Sequence, residues 1–217
     1  MTAFSIHEIL NLSVLFAAFA AVYRFKLFKT AAAPFLLLLW LASFNELLSL
    51  FLILQGKPNA LNGNIYVLLE FILLCYQFKC WGSLKTNFFY LIISAGFMIW
   101  ISDNIFLHHP DNNNSIFRIA YSLGVALLAI DQINRIVILE RGRHDAQPIC
   151  IICIALSLYF GFKTFAEVFN LFDLGLDKIF YYYLWFTLSV VNGVCNILFM
   201  TGILCFPRKQ PFILRYY

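Results

Sequence analysis

Residues 33–54 read APFLLLLWLASFNELLSLFLIL, a nearly continuous run of apolar side chains with one ionisable residue, Glu46. About 20 mostly apolar residues are enough for an α-helix to cross the hydrocarbon core of a bilayer. The run shows none of the two-residue alternation that a strand of a membrane β-barrel needs. This stretch therefore predicts a transmembrane helix.

Six further stretches of the chain have the same character. Turn residues and charges separate them, for example Gln55-Gly-Lys-Pro-Asn59 and Glu140-Arg-Gly-Arg-His-Asp145. We predict an all-α fold with a single domain over residues 1–217, a polytopic membrane bundle of seven transmembrane helices. The spans run at about 6–24, 33–54, 64–80, 87–107, 116–138, 149–172 and 179–206.

The composition excludes several classes of protein. Of the 217 residues, 62% are hydrophobic and 12% are charged, whereas a soluble domain is roughly 45–50% apolar and about 25% charged. A disordered chain or a nucleic-acid-binding module needs a density of charge that is missing here. The sequence therefore predicts the lipid bilayer as a partner and excludes nucleic acid.

The basic residues predict the orientation. The positive-inside rule places loops rich in Lys and Arg in the cytoplasm. A signal peptide has basic residues before its apolar run, and no Lys or Arg precedes the first span, so we expect that span to remain as a membrane anchor. The N-terminus is predicted outside and the C-terminus inside, in the inner (plasma) membrane of a bacterium, as a multi-pass protein. Lys57, Arg118 and Lys178 fall on the outer side and Lys163 within a span. The other 11 of the 15 basic residues fall inside: Arg24, Lys26, Lys29, Lys79, Lys85, Arg135, Arg141, Arg143, Arg208, Lys209 and Arg215.

Polar side chains within the spans are the candidate ligand-binding residues, because ionisable groups are costly in the hydrocarbon core. Most lie between the middle of the membrane and its outer surface. On three helices they share one face at about 100° per residue, which predicts an outward-facing polar pocket inside the bundle. The candidates are Glu46, Glu70, Asp103, Lys163, Glu167, Asn45, Asn192 and Asn196.

A purely structural role for these residues stays open. Lys163 and Glu167 are four residues apart and are able to neutralise each other. The asparagines are suited to hydrogen bonds between helices, which contribute about 1 kcal/mol or less each. In the inner half of the fifth span we expect Asp131 to pair with Arg135.

Catalytic and cofactor motifs are missing from the sequence. It has no Gly-rich phosphate loop, nucleophile elbow or HExxH motif, and residues 179–206 hold no Lys for a retinal Schiff base. The histidines do not match the zinc ligands of seven-helix ceramidases and adiponectin receptors. On the outer side, we interpret His108, His109, Asp111 and His7 as solvated side chains and not as a metal site. The six cysteines predict no disulfides. We therefore expect no cofactor, no metal and no catalytic residues, and the chain favours a protein that is not an enzyme.

Two short motifs carry a resemblance to known proteins. Asn64-Ile-Tyr-Val-Leu-Leu-Glu-Phe71 and the pair Asn192 and Asn196 resemble a group of small, largely uncharacterised bacterial seven-helix proteins. Some of these are similar to the membrane-sensing modules found with histidine kinases. The resemblance implies sensing or signalling, with Asn64, Tyr66 and Glu70 as positions to test. It also implies a separate signalling partner.

The leading functional prediction is a receptor-like membrane protein that binds a small molecule or an ion. The alternative is a small-solute or ion-coupled transporter. An internal repeat would favour it, and two similar stretches are candidates for that repeat: Phe44-Asn-Glu-Leu-Leu-Ser-Leu-Phe51 and Phe165-Ala-Glu-Val-Phe-Asn-Leu-Phe172. A membrane enzyme that acts on lipid through carboxylates alone, or a structural subunit of a complex, comes third.

Overall fold

The computed structural model describes residues 3–29, 31–107, 114–139, 142, 145–172 and 176–207. Seven helical segments in this part of the chain are long and apolar enough to cross a membrane, as predicted. The first segment consists of two short helices. Each of the other six contains one long α-helix. The helices are α1 (Ala3–Asn11), α2 (Val14–Tyr23), α3 (Ala33–Leu54), α4 (Ala60–Trp81), α5 (Thr86–Ile101), α6 (Ser115–Ile138), α7 (Ala146–Leu171) and α8 (Lys178–Cys205).

Two of the spans depart from regular α-helix. The first breaks at Leu12 and Ser13, where the Ser13 hydroxyl donates to the Leu10 carbonyl oxygen at 2.5 Å and competes with the backbone ladder. The fourth continues beyond α5 as one turn of π-helix, Ser102–Leu107. Such turns rotate the side chains that follow them and are frequent at functional sites.

Six of the helices form a closed ring, in the order α2, α3, α4, α6, α7, α8 and back to α2. Helix α1 packs on α8, and α5 lies outside the ring against α4 and α6. Side-chain contacts show the directions. Asn62 contacts Asn45 and Gln77 contacts Phe35, so α3 and α4 are antiparallel. His7 contacts Ser189 near one end and Arg24 donates to the Phe206 carbonyl oxygen at the other, so the first and last spans are parallel.

The two ends of the bundle therefore differ, and we call the end at which α1 begins the N-terminal face. The sequence predicts this face outside, and that orientation stays a prediction. The predicted orientation also rests on the basic residues Lys29, Arg141, Arg143, Arg208, Lys209 and Arg215. The side chain of Lys29 and the whole of the other five residues lie outside the described part of the chain.

At the opposite face the amide of buried Gln77 accepts from the Phe35 N–H and donates to the Ala31 carbonyl oxygen, both at 2.7 Å. This contact satisfies backbone groups at the start of α3.

Candidate functional site

Glu70 is the centre of a buried polar cluster within the ring of helices. Tyr66, one turn earlier on α4, donates to Glu70 Oε1 at 2.9 Å. Tyr121 of α6 donates to Glu70 Oε2 at 2.6 Å, and Lys163 Nζ of α7 lies 3.3 Å from the same oxygen. Lys163 also contacts the Tyr121 hydroxyl. The carboxylate thus receives three donors from three helices, and it and Lys163 are 5% and 6% exposed.

Aromatic rings complete the surroundings of the Lys163 ammonium. Its Nζ lies 5.0 Å from the ring centroid of Tyr121, 5.4 Å from that of Tyr159 and 5.3 Å from that of Phe160. A cation within about 6 Å of a ring face is attracted by the ring quadrupole. The ammonium is therefore held by one carboxylate, one hydroxyl and three rings, which fixes its position between α4, α6 and α7.

A second polar network lies nearer the N-terminal face. Arg118 of α6 forms an ion pair with Glu167 of α7, with 3.6 Å between Nη1 and Oε1. The same guanidinium donates from Nε to Asn114 Oδ1 at 3.0 Å and from Nη2 to Asn64 Oδ1 at 3.4 Å. Trp100 donates to the Asn64 carbonyl oxygen at 2.9 Å. These contacts tie α4, α5, α6 and α7 together at this end.

Asp103 caps α6 beside this network. Its Oδ2 accepts the Phe117 N–H at 2.8 Å, in the first turn of α6, and the residue is fully buried. A carboxylate at this position satisfies a free backbone donor and complements the positive end of the helix dipole. The π-helical turn that carries Asp103 brings it over the start of α6.

We expect Asp103→Asn to lower the free energy of unfolding by about 1 kcal/mol, because a neutral amide caps a helix without the charge interaction. Thermal unfolding of the purified protein in detergent measures this. Asp177→Asn is the matched control, since Asp177 precedes α8 without a side-chain capping bond. Equal melting temperatures for the two variants would contradict the capping role.

A cavity of about 70 Å³ lies inside the ring, between the first span, α3, α4, α7 and α8. Its polar lining consists of Glu46 from α3, Tyr66 and Glu70 from α4, Tyr159 from α7, and three asparagines, Asn11, Asn192 and Asn196. Within the described part of the chain, the Glu46 carboxylate makes no hydrogen bond and no ion pair. The cavity therefore holds one carboxylate that the protein leaves unsatisfied.

The polar stripe of α8 packs against the first span. Asn192 donates to Asn11 Oδ1 at 3.4 Å, and Asn196 donates to the Ser13 hydroxyl at 2.9 Å. Ser189 and His7 Nδ1 are 2.5 Å apart. Asn192 and Asn196 thus join helices, as the structural alternative predicted, and both of them line the cavity together with Asn11.

The structure separates the predicted site residues into three groups. Glu46, Glu70, Asn192 and Asn196 line one cavity, and Lys163 is joined to them through Glu70. Glu167 belongs to the network at the N-terminal face, and Asp103 caps α6 beside it. Asn45 accepts from Asn62 of α4 at 3.0 Å and does not line the cavity.

Both ion pairs considered within single helices are wrong. Lys163 pairs with Glu70 and not with Glu167, which pairs with Arg118. Asp131 is exposed and has no hydrogen-bond or ion-pair partner in the described part of the chain, while Arg135 donates to the Gly82 carbonyl oxygen. Lys163, Glu167 and Arg135 thus each find a partner in another segment of the chain and not in the residue four positions away.

Sequence reasoning missed several contributors to the site. Tyr121 and Tyr159 are aromatic residues within spans, and nothing in the sequence distinguishes them from the many rings that face lipid. Asn11 carried a signal, because it is an amide in the middle of an apolar stretch. Its spacing of four residues from His7 places both side chains on one face of a helix, a pattern that indicates a polar face on the first span.

The described part of the chain contains no cluster of three or more metal-ligating residues. His108, His109 and Asp111, weighed as an outer metal site, lie outside that part. All six cysteines are free thiols.

Comparisons with known proteins yield no relatives. No protein-family model matches the chain, and neither a curated protein nor a solved structure is significantly similar to it. The molecule is thus an all-helical, multi-pass membrane protein on the evidence of its own sequence and fold.

Proposed function

We propose that this membrane protein is receptor-like and that its central cavity binds one monovalent cation, either a proton or an alkali metal ion. The unsatisfied carboxylate of Glu46 carries the proposal. An ionised side chain within a membrane span is costly unless something neutralises it. A positive ligand in the cavity would supply the counter-charge that the Glu46 carboxylate lacks.

The charge around the cavity supports a single positive ligand. When ionised, Glu46 and Glu70 contribute two negative charges and Lys163 contributes one positive charge, which leaves a net charge of −1. Arg118 and Glu167 neutralise each other in the neighbouring network. One bound cation of charge +1 would balance the net charge of Glu46, Glu70 and Lys163 around the cavity.

The size of the cavity supports a small ligand. The volume of about 70 Å³ is several times the roughly 10–15 Å³ that a cavity needs to hold one water. A proton, or a metal ion with one or two waters, fits this space.

The break in the first span supports a cation on electrostatic grounds. Asn11 is the last residue of α1 and lines the cavity. The C-terminal end of a helix carries partial negative charge. Half-helices that end at the middle of a membrane serve as cation sites in transporters.

Packing beneath the cavity favours a receptor over a transporter. Phe35 and Leu39 are 1% and 2% exposed, and Phe199 packs edge-on against Phe35 with their ring centroids 5.2 Å apart. These side chains separate the cavity from the face opposite the N-terminal face. Glu46 lies eight residues from the end of α3 at Leu54, about 12 Å along the helix axis, so access from the N-terminal face is the shorter route.

Five helical segments contact the cavity, so a bound cation would change their packing and pass a signal to a separate partner protein. Ion-coupled transport is the second candidate, and the broken first span favours it. The proposed repeat does not add to that case. Glu46 faces the cavity, whereas Glu167, its counterpart in the repeat, is paired with Arg118.

The test is cation-dependent stability of the purified protein in detergent. Na⁺ and K⁺ are titrated against N-methylglucamine at constant ionic strength, and pH is varied separately at constant salt. Binding to the folded state at a hundred times the Kd adds about 2.7 kcal/mol to the free energy of unfolding. We expect the wild type to be stabilised by one of these cations and Glu46→Gln to respond to none.

Glu167→Gln is the matched control, since it removes a buried carboxylate outside the cavity and should keep the cation response. Response to pH alone identifies the proton, and response to Na⁺ or K⁺ at constant pH identifies a metal ion. Equal responses in the wild type and Glu46→Gln would contradict the proposal. Flux of the identified cation into vesicles that contain the protein would assign transport in place of sensing.

A further inference from the structure

A second site lies on the outside of the bundle, in a crevice between α5 and α6. Its volume is about 500 Å³, and its lining is almost entirely apolar. The loose packing of α5 creates it, because only Gly96 of this helix is buried. We propose that the crevice binds one phospholipid whose headgroup carries a phosphate and a primary amine. The apolar lining includes Leu91, Ile92, Ala95, Ile99, Ala120 and Leu127.

The length of the crevice fits one acyl chain. Along α6 the crevice runs from Asp131 to Phe117 and Ala120. The fourteen steps along the helix from Phe117 to Asp131 span about 21 Å at 1.5 Å per residue. The hydrocarbon core is about 30 Å thick, so the crevice is long enough for an acyl chain from one leaflet.

An unpaired carboxylate marks one end of the crevice. Asp131 lines it, is exposed, and has no partner in the described part of the chain. An ionised group at a lipid-facing position is costly without a counter-charge. A primary amine of a lipid headgroup supplies that charge and donates hydrogen bonds to the carboxylate.

A lysine stands beside the same end. Phe88 and Leu91 line both the crevice and a smaller adjoining pocket that Lys85 lines. The loop before Lys85 packs against α6 close to Asp131, because Ser83 donates to Gln132. Lys85 is exposed and is suited to a phosphate, so the crevice mouth offers one cationic and one anionic group to a zwitterionic headgroup.

The depth of this mouth agrees with a headgroup. The loop of residues 82–85 connects α4 to α5 and therefore lies at the end of both helices. Ser83 contacts α6 at Gln132, so Asp131 lies at the level of this loop. The carboxylate is thus placed where the polar zone of the membrane begins, and the apolar lining extends from there into the hydrocarbon core.

Lipid retention tests the proposal. The protein is reconstituted in nanodiscs with equal amounts of phosphatidylethanolamine and phosphatidylcholine, and the lipids that remain bound after release are identified by native mass spectrometry. The quaternary amine of phosphatidylcholine donates no hydrogen bond. We expect the wild type to retain phosphatidylethanolamine with a preference of about fivefold, the size typical of one partly exposed ion pair.

Asp131→Asn tests the contact with the lipid headgroup, and Gly124→Leu tests the contact with the acyl chain. Asp131→Asn should lose the preference, and Asp177→Asn, at an exposed carboxylate far along the chain from the crevice, should keep it. Gly124→Leu should fill the crevice and reduce retention of both lipids, because a Cβ at Gly124 meets no atom within 4 Å. Gly161→Leu is the matched control on α7, where a Cβ is equally free and the residue does not line this crevice.

Three results would overturn the proposal: no preference in the wild type, an unchanged preference in Asp131→Asn, or a dimer that Gly124→Leu converts to a monomer. The last result would assign the crevice to a second copy of the chain. If Gly124→Leu fails to fold, Ala120→Leu blocks the same crevice at an exposed position. The cation response of the central cavity should be unchanged in Asp131→Asn.

Discussion

Glu70→Gln is expected to lower the free energy of unfolding by about 3–5 kcal/mol, because it leaves the buried ammonium of Lys163 without its ion-pair partner. Both residues are nearly inaccessible, and the ion pair joins α4 to α7 across 3.3 Å. The substitution also weakens the acceptor of the Tyr66 and Tyr121 hydroxyls. Thermal unfolding or a denaturant titration in detergent measures the loss.

A double substitution shows whether the unpaired charge causes that loss. Lys163→Met combined with Glu70→Gln removes both charges and keeps a side chain of similar length, so we expect most of the stability to return. Glu46→Gln serves as the control, since Glu46 has no protein partner to leave behind. A double variant no more stable than Glu70→Gln would show that the ion pair is not what holds these helices together.

Gly96→Ala is expected to cost about 1–3 kcal/mol through overpacking. A Cβ at Gly96 would lie 2.3 Å from Cε1 and 2.5 Å from Cζ of the Phe71 ring. Phe117 and Tyr121 pack edge-on against that ring with centroid distances of 5.7 and 6.4 Å and limit its movement toward α6. The melting temperature in detergent should fall accordingly.

A smaller side chain opposite should restore this packing. Phe71→Leu in the Gly96→Ala background is expected to recover stability relative to Gly96→Ala alone. Gly124→Ala is the matched control one helix away, where the Cβ is unobstructed and the greater helix propensity of Ala is worth up to about 1 kcal/mol. If Gly96→Ala melts no lower than Gly124→Ala, α5 does not pack against α4 as described.

The seven spans were predictable because each is set by a local quantity, the length of an apolar run. Ala33–Leu54 agrees with its predicted bounds to the residue, and Ser115–Ile138 to within one. The break at Leu12 and Ser13 was not predicted, since the apolar run continues through it. At that break the Ser13 hydroxyl also accepts a hydrogen bond from Asn196 of α8, a contact that the sequence of the first span alone does not include.

The partners within the site were less predictable than its members. Helical phase correctly indicated that Lys163 and Glu167 face the interior, but it did not show which helix faces which. Lys163 turns to Glu70 of α4, and Glu167 turns to Arg118 of α6. These pairings follow from the order of helices around the ring, which depends on packing between segments far apart in sequence.

The contact between the first and last spans has a consequence for biogenesis. His7 and Ser189 are 182 positions apart, and Asn11 and Ser13 also take their partners from α8. During translation the first span enters the bilayer long before α8 is synthesised. Until then its amide and imidazole groups lie in lipid or beside the insertion machinery without their hydrogen-bond partners from α8. Nascent chains that stop before α8 would keep this polar edge exposed, which gives membrane quality control a feature that distinguishes unfinished protein from complete protein.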